Sequence, residues 1–263
     1  MENRRSIFPR LRRALVVHLR RAVNRASGLL YVVGFQPLRL VEWLISCTRT
    51  GKATFLPPAE LRWTGELESQ WTLVRAELEP VLANLETLPN FQYLSKAQGA
   101  LTQDDRWKSF LLHVAPRPIE KNCASCPATA KLLERVPGLV FAMFSILDGP
   151  KHIPPHRGPY KGLLNCHLPL LVPDDPNACR LRVGGDVVAW EEGRMLVFDD
   201  SHEHEAWNDS ENLRVVLFCY VVRPLPFPLS VLNRMVIGLI RWSPHLQELA
   251  KSQDRWFRGA DAR

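Results

Sequence analysis

LVFAMFSILDGPKHIPPHRGPYKGLLNCHLPLL, residues 139–171, decides the fold class. Two apolar runs, Leu139–Ile146 and Leu163–Leu171, are separated by Asp148-Gly149-Pro150 and by Pro154-Pro155-His156-Arg157-Gly158-Pro159. Short apolar runs between such turn signals read as β-strands. The same texture continues in both directions, through Trp107–His113, Arg180–Val183, Arg194–Phe198 and Leu213–Val222, with Pro173-Asp174-Asp175-Pro176 and Gly184-Gly185 as further turns. Many short strands at this spacing predict a mainly β protein, with an antiparallel double sheet of the jelly-roll (double-stranded β-helix, cupin-like) kind.

Helical patterns flank this core. Glu66–Leu88 places Trp71, Val74, Leu78, Val81 and Leu82 at three- and four-residue intervals, which predicts an amphipathic helix. Pro127–Arg135 reads as a short helix with proline in its first turn, and 228–249 returns to helical periodicity. Residues 1–25 read as a basic amphipathic helix and 26–60 as a loosely packed connector. The expected organisation is therefore an N-terminal extension (1–60), a β domain (61–225) and a C-terminal helical extension (226–263).

The chain has 263 residues, 46% of them hydrophobic, with 8 Trp and 11 Phe; that is enough for one substantial core and speaks against disorder. Its net charge of +7 would ordinarily suggest nucleic acid as a partner. The first 25 residues hold eight Arg and one acid, however, so they account for the whole excess and leave a neutral core. A nucleic-acid-binding core is thereby set aside. No run reaches the roughly 20 apolar residues of a transmembrane helix, Arg20, Arg21 and Arg25 interrupt any secretory signal, and six cysteines do not make a disulfide scaffold. The Arg-rich, acid-poor start shares its composition with transit peptides. The expected location is cytoplasmic, with peripheral contact to an anionic membrane through 1–25 and 229–242 as the variant reading.

Five of eight histidines, His152, His156, His167, His202 and His204, fall in the β-rich part. Each singly is an ordinary strand-end residue. Two imidazoles on distant strands, with Arg214 ten residues beyond the second, form the arrangement by which non-haem iron oxygenases hold a metal and a 2-oxo acid. A carboxylate usually stands two residues after the first histidine; here that position is Gly158.

The segment 144–224 resembles the aspartyl/asparaginyl β-hydroxylase family of iron(II)/2-oxoglutarate dioxygenases. The resemblance is carried by Phe144-Ser145-Ile146, Pro155-His156-Arg157-Gly158-Pro159, His167-Leu168, Trp190-Glu191-Glu192-Gly193, Phe198-Asp199-Asp200-Ser201 and Glu203-His204-Glu205-Ala206-Trp207. Weaker matches run upstream through Trp71–Arg75, Trp107-Lys108 and Asn122–Pro127. In that family glycine occupies the position of Gly158, and water completes the shell of a two-histidine iron. The resemblance implies His156 and His204 as catalytic iron ligands and Ser145, His167 and Arg214 as 2-oxoglutarate contacts. It also implies Asn165 where the family carries an Arg, a loss of one ionic contact of roughly 1.5–3 kcal/mol. The cofactors implied are Fe(II), 2-oxoglutarate and O2.

The reaction implied is hydroxylation of an unactivated C–H, first of an Asp or Asn in a peptide or protein. Alternatively the substrate is a lipid acyl chain, of lipid A or ornithine lipid type, or a free amino acid. A non-catalytic cupin-like binding module and a two-histidine zinc hydrolase are the competing classes. Cys123-Ala-Ser-Cys126 is either a helix start or a redox or half-zinc motif. Asp199 and Asp200, shortly before His204, read equally as metal-proximal groups or as turn caps and stay outside the ligand set. Trp207 reads as core or as lining of the substrate mouth.

Overall fold

The computed structural model describes residues 38–94, 101–175, 177–241, 249 and 251. The expected basic helix at 1–25 lies outside them, as does most of the segment after Arg241. The chain divides at Leu44–Ile45, and the second unit carries both sheets. Helices are α1 (38–46), α2 (Thr64–Ser69), α3 (Trp71–Leu82), α4 (Phe91–Leu94), α5 (Glu120–Ser125), α6 (Pro127–Glu134) and α7 (Leu229–Arg241). Strands are β1 (Phe55–Leu56), β2 (Trp107–Val114), β3 (Arg117–Pro118), β4 (Leu139–Leu147), β5 (Lys151–His156), β6 (Leu163–Leu171), β7 (Cys179–Val183), β8 (Asp186–Ala189), β9 (Leu196–Phe198), β10 (His204–Asn208) and β11 (Arg214–Val222).

They form a seven-stranded sheet, β1-β9-β6-β11-β4-β2-β3, and a four-stranded sheet, β5-β10-β7-β8, with every pairing antiparallel. This is the double-stranded β-helix. Strand alternation sorts the larger sheet's side chains. Its outer face, with Ala142, Phe144, Ile146, Leu164, Cys166, Leu168, Val215, Leu217 and Cys219, makes the hydrophobic core with α3 and α6. Val74, Leu78 and Val81 supply the buried stripe of α3. The Glu77 carboxylate of α3 accepts bonds from Ala128 N, Thr129 N and Thr129 Oγ1 at 2.7–2.8 Å. It thereby caps the N-terminus of α6, where free amides and the helix dipole favour an anion.

Several details differ from the sequence pattern. The single helix expected over 66–88 is broken at Gln70 into α2 and α3, and α3 ends two residues after Pro80, which cannot donate to the helix ladder. The connector expected over 26–60 contributes β1, paired with β9. Strands β5, β8 and β10 carried no apolar-run signal. All three belong to the smaller sheet, and the prolines of β5 are tolerated because β5 is an edge strand. No helix among the described residues is long and apolar enough to cross a membrane.

Candidate active site between the sheets

His156 ends β5 and His204 begins β10, and the two are register partners across that strand pair. Two steps along β10, from His204 to Ala206, match three along β5, from His156 to Ile153. The extra residue at Pro154-Pro155 is a β-bulge, and it re-aims His156 to the inner face shared with His204. The imidazole centroids are 4.0 Å apart. His156 Nδ1 is 2.9 Å from Pro154 O and His204 Nδ1 3.1 Å from His202 O. A carbonyl only accepts, so each Nδ1 carries the proton and each Nε2 keeps its lone pair. Burial lowers the pKa of both rings, that of His204 to about 4 with help from the nearby His156. Two neutral imidazoles of fixed tautomer, each backed by a carbonyl, suit metal ligation. Among the described residues no third His, Cys, Asp or Glu joins them.

The space that a side chain at position 158 would take is filled from elsewhere. A Cβ on Gly158 would stand 2.2 Å from Asp200 Cγ, and Gly158 N donates to Asp200 O at 2.7 Å. Only glycine lets the Asp200 carboxylate lie there. Asp199 and Asp200 are neighbours with opposite surroundings. Asp199 accepts from Lys161 Nζ at 2.8 Å and Ser201 Oγ at 2.6 Å and pairs with Arg223 at 2.5 Å. Burial works against ionisation of Asp199, yet these partners hold its carboxyl below the usual range. Asp200 Oδ2 accepts from the Tyr220 hydroxyl and Asn165 lies close by, while Oδ1 is buried without a hydrogen bond. Burial, with the charge of Asp199, pushes its pKa to about 7.

The inner face of the larger sheet completes the site. Arg214 and Val216 face Leu147 and Ser145 across β4; Phe218 and Tyr220 face His167 and Asn165 across β6. Arg214 is fully buried, its Nε and Nη1 lack hydrogen-bond partners, and no carboxylate pairs with it among the described residues. Its guanidinium lies 4.6 Å over the Trp190 ring. Trp190 Nε1 donates to His167 Nδ1 at 3.2 Å. His167 therefore carries its proton on Nε2, which is buried and unpartnered. Burial, then Arg214, holds the His167 pKa well below its ordinary value, so the ring is a neutral donor. Asn165 Oδ1 is likewise buried without a partner, and Ser145 Oγ accepts from Trp107 Nε1 at 3.1 Å. Phe198, 5.1 Å from the His167 ring and 5.9 Å from that of His204, links this end to the histidine pair.

All six residues singled out from sequence, His156, His204, Ser145, Asn165, His167 and Arg214, thus lie on the inner faces of the two sheets. The orphaned donors fit a dicarboxylic 2-oxo acid, since a buried cation and a neutral N–H without partners are what a carboxylate needs. Asp200, weighed from sequence but kept outside the ligand set, and Trp190, noted only within the Trp-Glu-Glu-Gly turn, are also at the inner face of the larger sheet. His152 and Trp207 point to the outer face of the smaller sheet, where the rings stack at 5.1 Å and Arg180 covers Trp207. Trp207 is neither core nor mouth. Burial raises the thiol pKa of Cys123, within α5, and that of Cys126, at the N-cap of α6, to about 12, so both thiols stay protonated.

Comparison with known proteins gives likenesses to a family, to individual relatives and to solved structures. The profile of the aspartyl/asparaginyl beta-hydroxylase family matches residues 68–224. An ornithine lipid ester-linked acyl 2-hydroxylase from Rhizobium tropici is 38% identical over 223 residues, covering 83% of this chain and 79% of that protein. The human aspartyl/asparaginyl beta-hydroxylase is 32% identical over 163 residues, 60% of this chain but only 21% of the human protein. Among solved structures, a Trichoplax adhaerens prolyl hydroxylase bound to a hypoxia-inducible-factor peptide aligns with a TM-score of 0.42 at 13% identity, covering 68% of this chain and 94% of that one.

Proposed function

The chain belongs to the aspartyl/asparaginyl beta-hydroxylase family, and on that premise we propose that it is an iron(II)- and 2-oxoglutarate-dependent hydroxylase whose substrate is a lipid acyl chain. The observation that supports the cofactor assignment is the buried Arg214, with Nε and Nη1 unpartnered and no carboxylate beside it, on the inner face of one sheet, with two neutral imidazoles on the inner face of the other. A guanidinium in a dry interior without a counter-charge is costly; a dianionic co-substrate removes that cost on binding.

In this reading His156 and His204 hold the metal through Nε2. Arg214, with Ser145 beside it on the inner face, grips the distal carboxylate of 2-oxoglutarate. His167 donates its Nε2–H to the co-substrate, and Asn165 adds a neutral contact in place of a charged one. Trp190 positions both His167 and Arg214. Phe198 and Phe218 keep water from the reacting volume, which strengthens each of these contacts. Asp200 supplies an acceptor at Oδ1 beside Gly158, and with a pKa of about 7 it can hold or release a proton there. When bound, iron, O2 and 2-oxoglutarate together supply the oxidising chemistry, in which 2-oxoglutarate becomes succinate and CO2 while a C–H becomes C–OH.

The lipid substrate is favoured by the Rhizobium relative, which matches over most of both chains. Peptide hydroxylation is the second reading, and it rests on a match to one fifth of the human protein. The test is purified protein supplied with iron, 2-oxoglutarate and either ornithine lipid or an Asp-containing peptide. Succinate should form only when iron is present, and mass spectrometry should find one added oxygen in the lipid's acyl chain. Hydroxylation of the peptide alone would replace the lipid reading. Iron-independent hydrolysis, or metal binding with no turnover, would replace the oxygenase reading itself.

A further inference from the structure

We propose that α7 is a membrane-docking element whose exposed face lies along an anionic phospholipid surface. The helix is strongly two-sided. Asn233 and Ile237 are buried and fasten it to the domain, while Phe227 (83% exposed), Val231 (48%), Met235 (64%) and Leu239 (77%) stand in solvent. Val231, Leu232, Met235 and Leu239 fall within an arc of about 100° on a helix of 3.6 residues per turn, opposite Asn233 and Ile237. Burying such a stripe against the domain would be the ordinary outcome; here the domain covers the other side. The helix has no acidic residue; Arg234 stands exposed beside the stripe, whereas Arg241 turns to the domain and donates from Nη2 to Leu139 O at 3.4 Å. An apolar stripe with an exposed basic edge at Arg234 and no acid on the helix is complementary to a surface that is apolar beneath and negative above.

The anchor of α7 is also connected to the site. Asn233 Nδ2 donates to Gly162 O at 2.9 Å, and the Tyr160 hydroxyl donates to Asn233 Oδ1 at 2.8 Å. Tyr160 and Gly162 lie in the loop that leaves His156, and Lys161 between them reaches Asp199. A helix resting on a bilayer would therefore hold the His156 end of the site at a fixed attitude to that bilayer. The proposal rests on the lipid reading for its purpose, but docking itself is measured without catalysis.

The test is sedimentation of the full chain with vesicles of phosphatidylglycerol and phosphatidylcholine, alongside vesicles of phosphatidylcholine alone. The wild type should pellet with the anionic vesicles. The M235D/L239D double variant should lose about tenfold or more in partition, the M235Q/L239Q variant should lose in the same direction, and Arg234→Glu should lose severalfold. Melting temperatures of all variants should stay near wild type, because the changed side chains are in solvent. Unchanged pelleting of both double variants overturns the proposal. So does a concentration-dependent dimer that M235D/L239D abolishes, which would give the face to a second copy of the chain. Turnover of detergent-dispersed ornithine lipid separates the two readings. Normal rates with lost pelleting support docking, whereas no turnover by the wild type overturns the substrate and leaves pelleting to decide α7.

Discussion

On the outer face of the seven-stranded sheet, Ala142, Phe144, Leu164, Cys166, Leu217 and Cys219 pack with α3 and α6 in a sealed apolar core. On the inner face of the same strands, Ser145, Asn165, His167 and Arg214 are just as buried but polar, and three of them carry atoms with no partner. One face maximises burial and the other tolerates unmet hydrogen bonds, each worth about 1–3 kcal/mol. A protein concerned only with stability would not keep the second face. The contrast teaches that burial here has two uses: on one side it holds the fold, and on the other it prepares charge and donors for something that arrives later.

Substitutions on the two faces should therefore separate stability from chemistry. The largest effect is expected for His156→Ala, which removes half of a two-residue ligand set. Succinate formation should fall by about a thousandfold or more, with a melting curve near that of the wild type; robust turnover would remove His156 from the metal. Phe144→Ala should do the reverse. It empties a site stacked on Phe110 and should cost about 3–5 kcal/mol in urea unfolding, while the 2-oxoglutarate affinity of the folded fraction stays unchanged.

Arg214→Met comes next, with a split outcome. Calorimetric titration of 2-oxoglutarate should show affinity weakened about 30- to 100-fold, as for loss of a charge-assisted carboxylate contact. The unliganded protein should be no less stable than the wild type, because an uncompensated buried cation is gone. A large drop in stability would mean that Arg214 already has a structural partner. Trp190→Phe keeps the ring beneath Arg214 but removes the indole N–H that fixes the His167 tautomer. Affinity for 2-oxoglutarate should fall about tenfold, and iron affinity should not change.

The smallest effect concerns His113, opposite Ala142 on the outer face. Burial, aided by Arg241, lowers its pKa to about 4 from 6.5. The folded state then binds fewer protons than the unfolded one, so stability is complete above about pH 6.5 and is lost as pH falls towards 4. The side chain is partly solvated, which reduces the contribution to about 2 kcal/mol. Unfolding free energies at pH 7 and 4.5 should converge in His113→Gln by that amount; an unaltered pH slope would assign acid sensitivity elsewhere.

Much of this was legible in the chain. The long strands of the larger sheet, β2, β4, β6 and β11, announce themselves because both of its faces are covered, which demands apolar residues at nearly every position. In the smaller sheet only β7 does so, since Pro154 and Pro155 in β5 and His204, Glu205 and Asn208 in β10 look like loop until a partner strand is seen. His156, His204 and Arg214 were legible as residue types at a spacing. Trp190 and Asp200 were not, because what they do depends on contacts made across strands. The indole meets His167 and Arg214 from a turn far along the chain, and Asp200 differs from Asp199 only in what burial leaves beside it.

The bulge in β5 has a consequence for how this segment can vary. Edge strands next to turns ordinarily absorb insertions and deletions with little harm. Here the number of residues between Ile153 and His156 sets the face on which the ligand emerges, so a single-residue change in length would carry an intact histidine to the wrong side. The site is thus protected by arithmetic as well as by chemistry: along this stretch, substitution is a smaller hazard than a change in count.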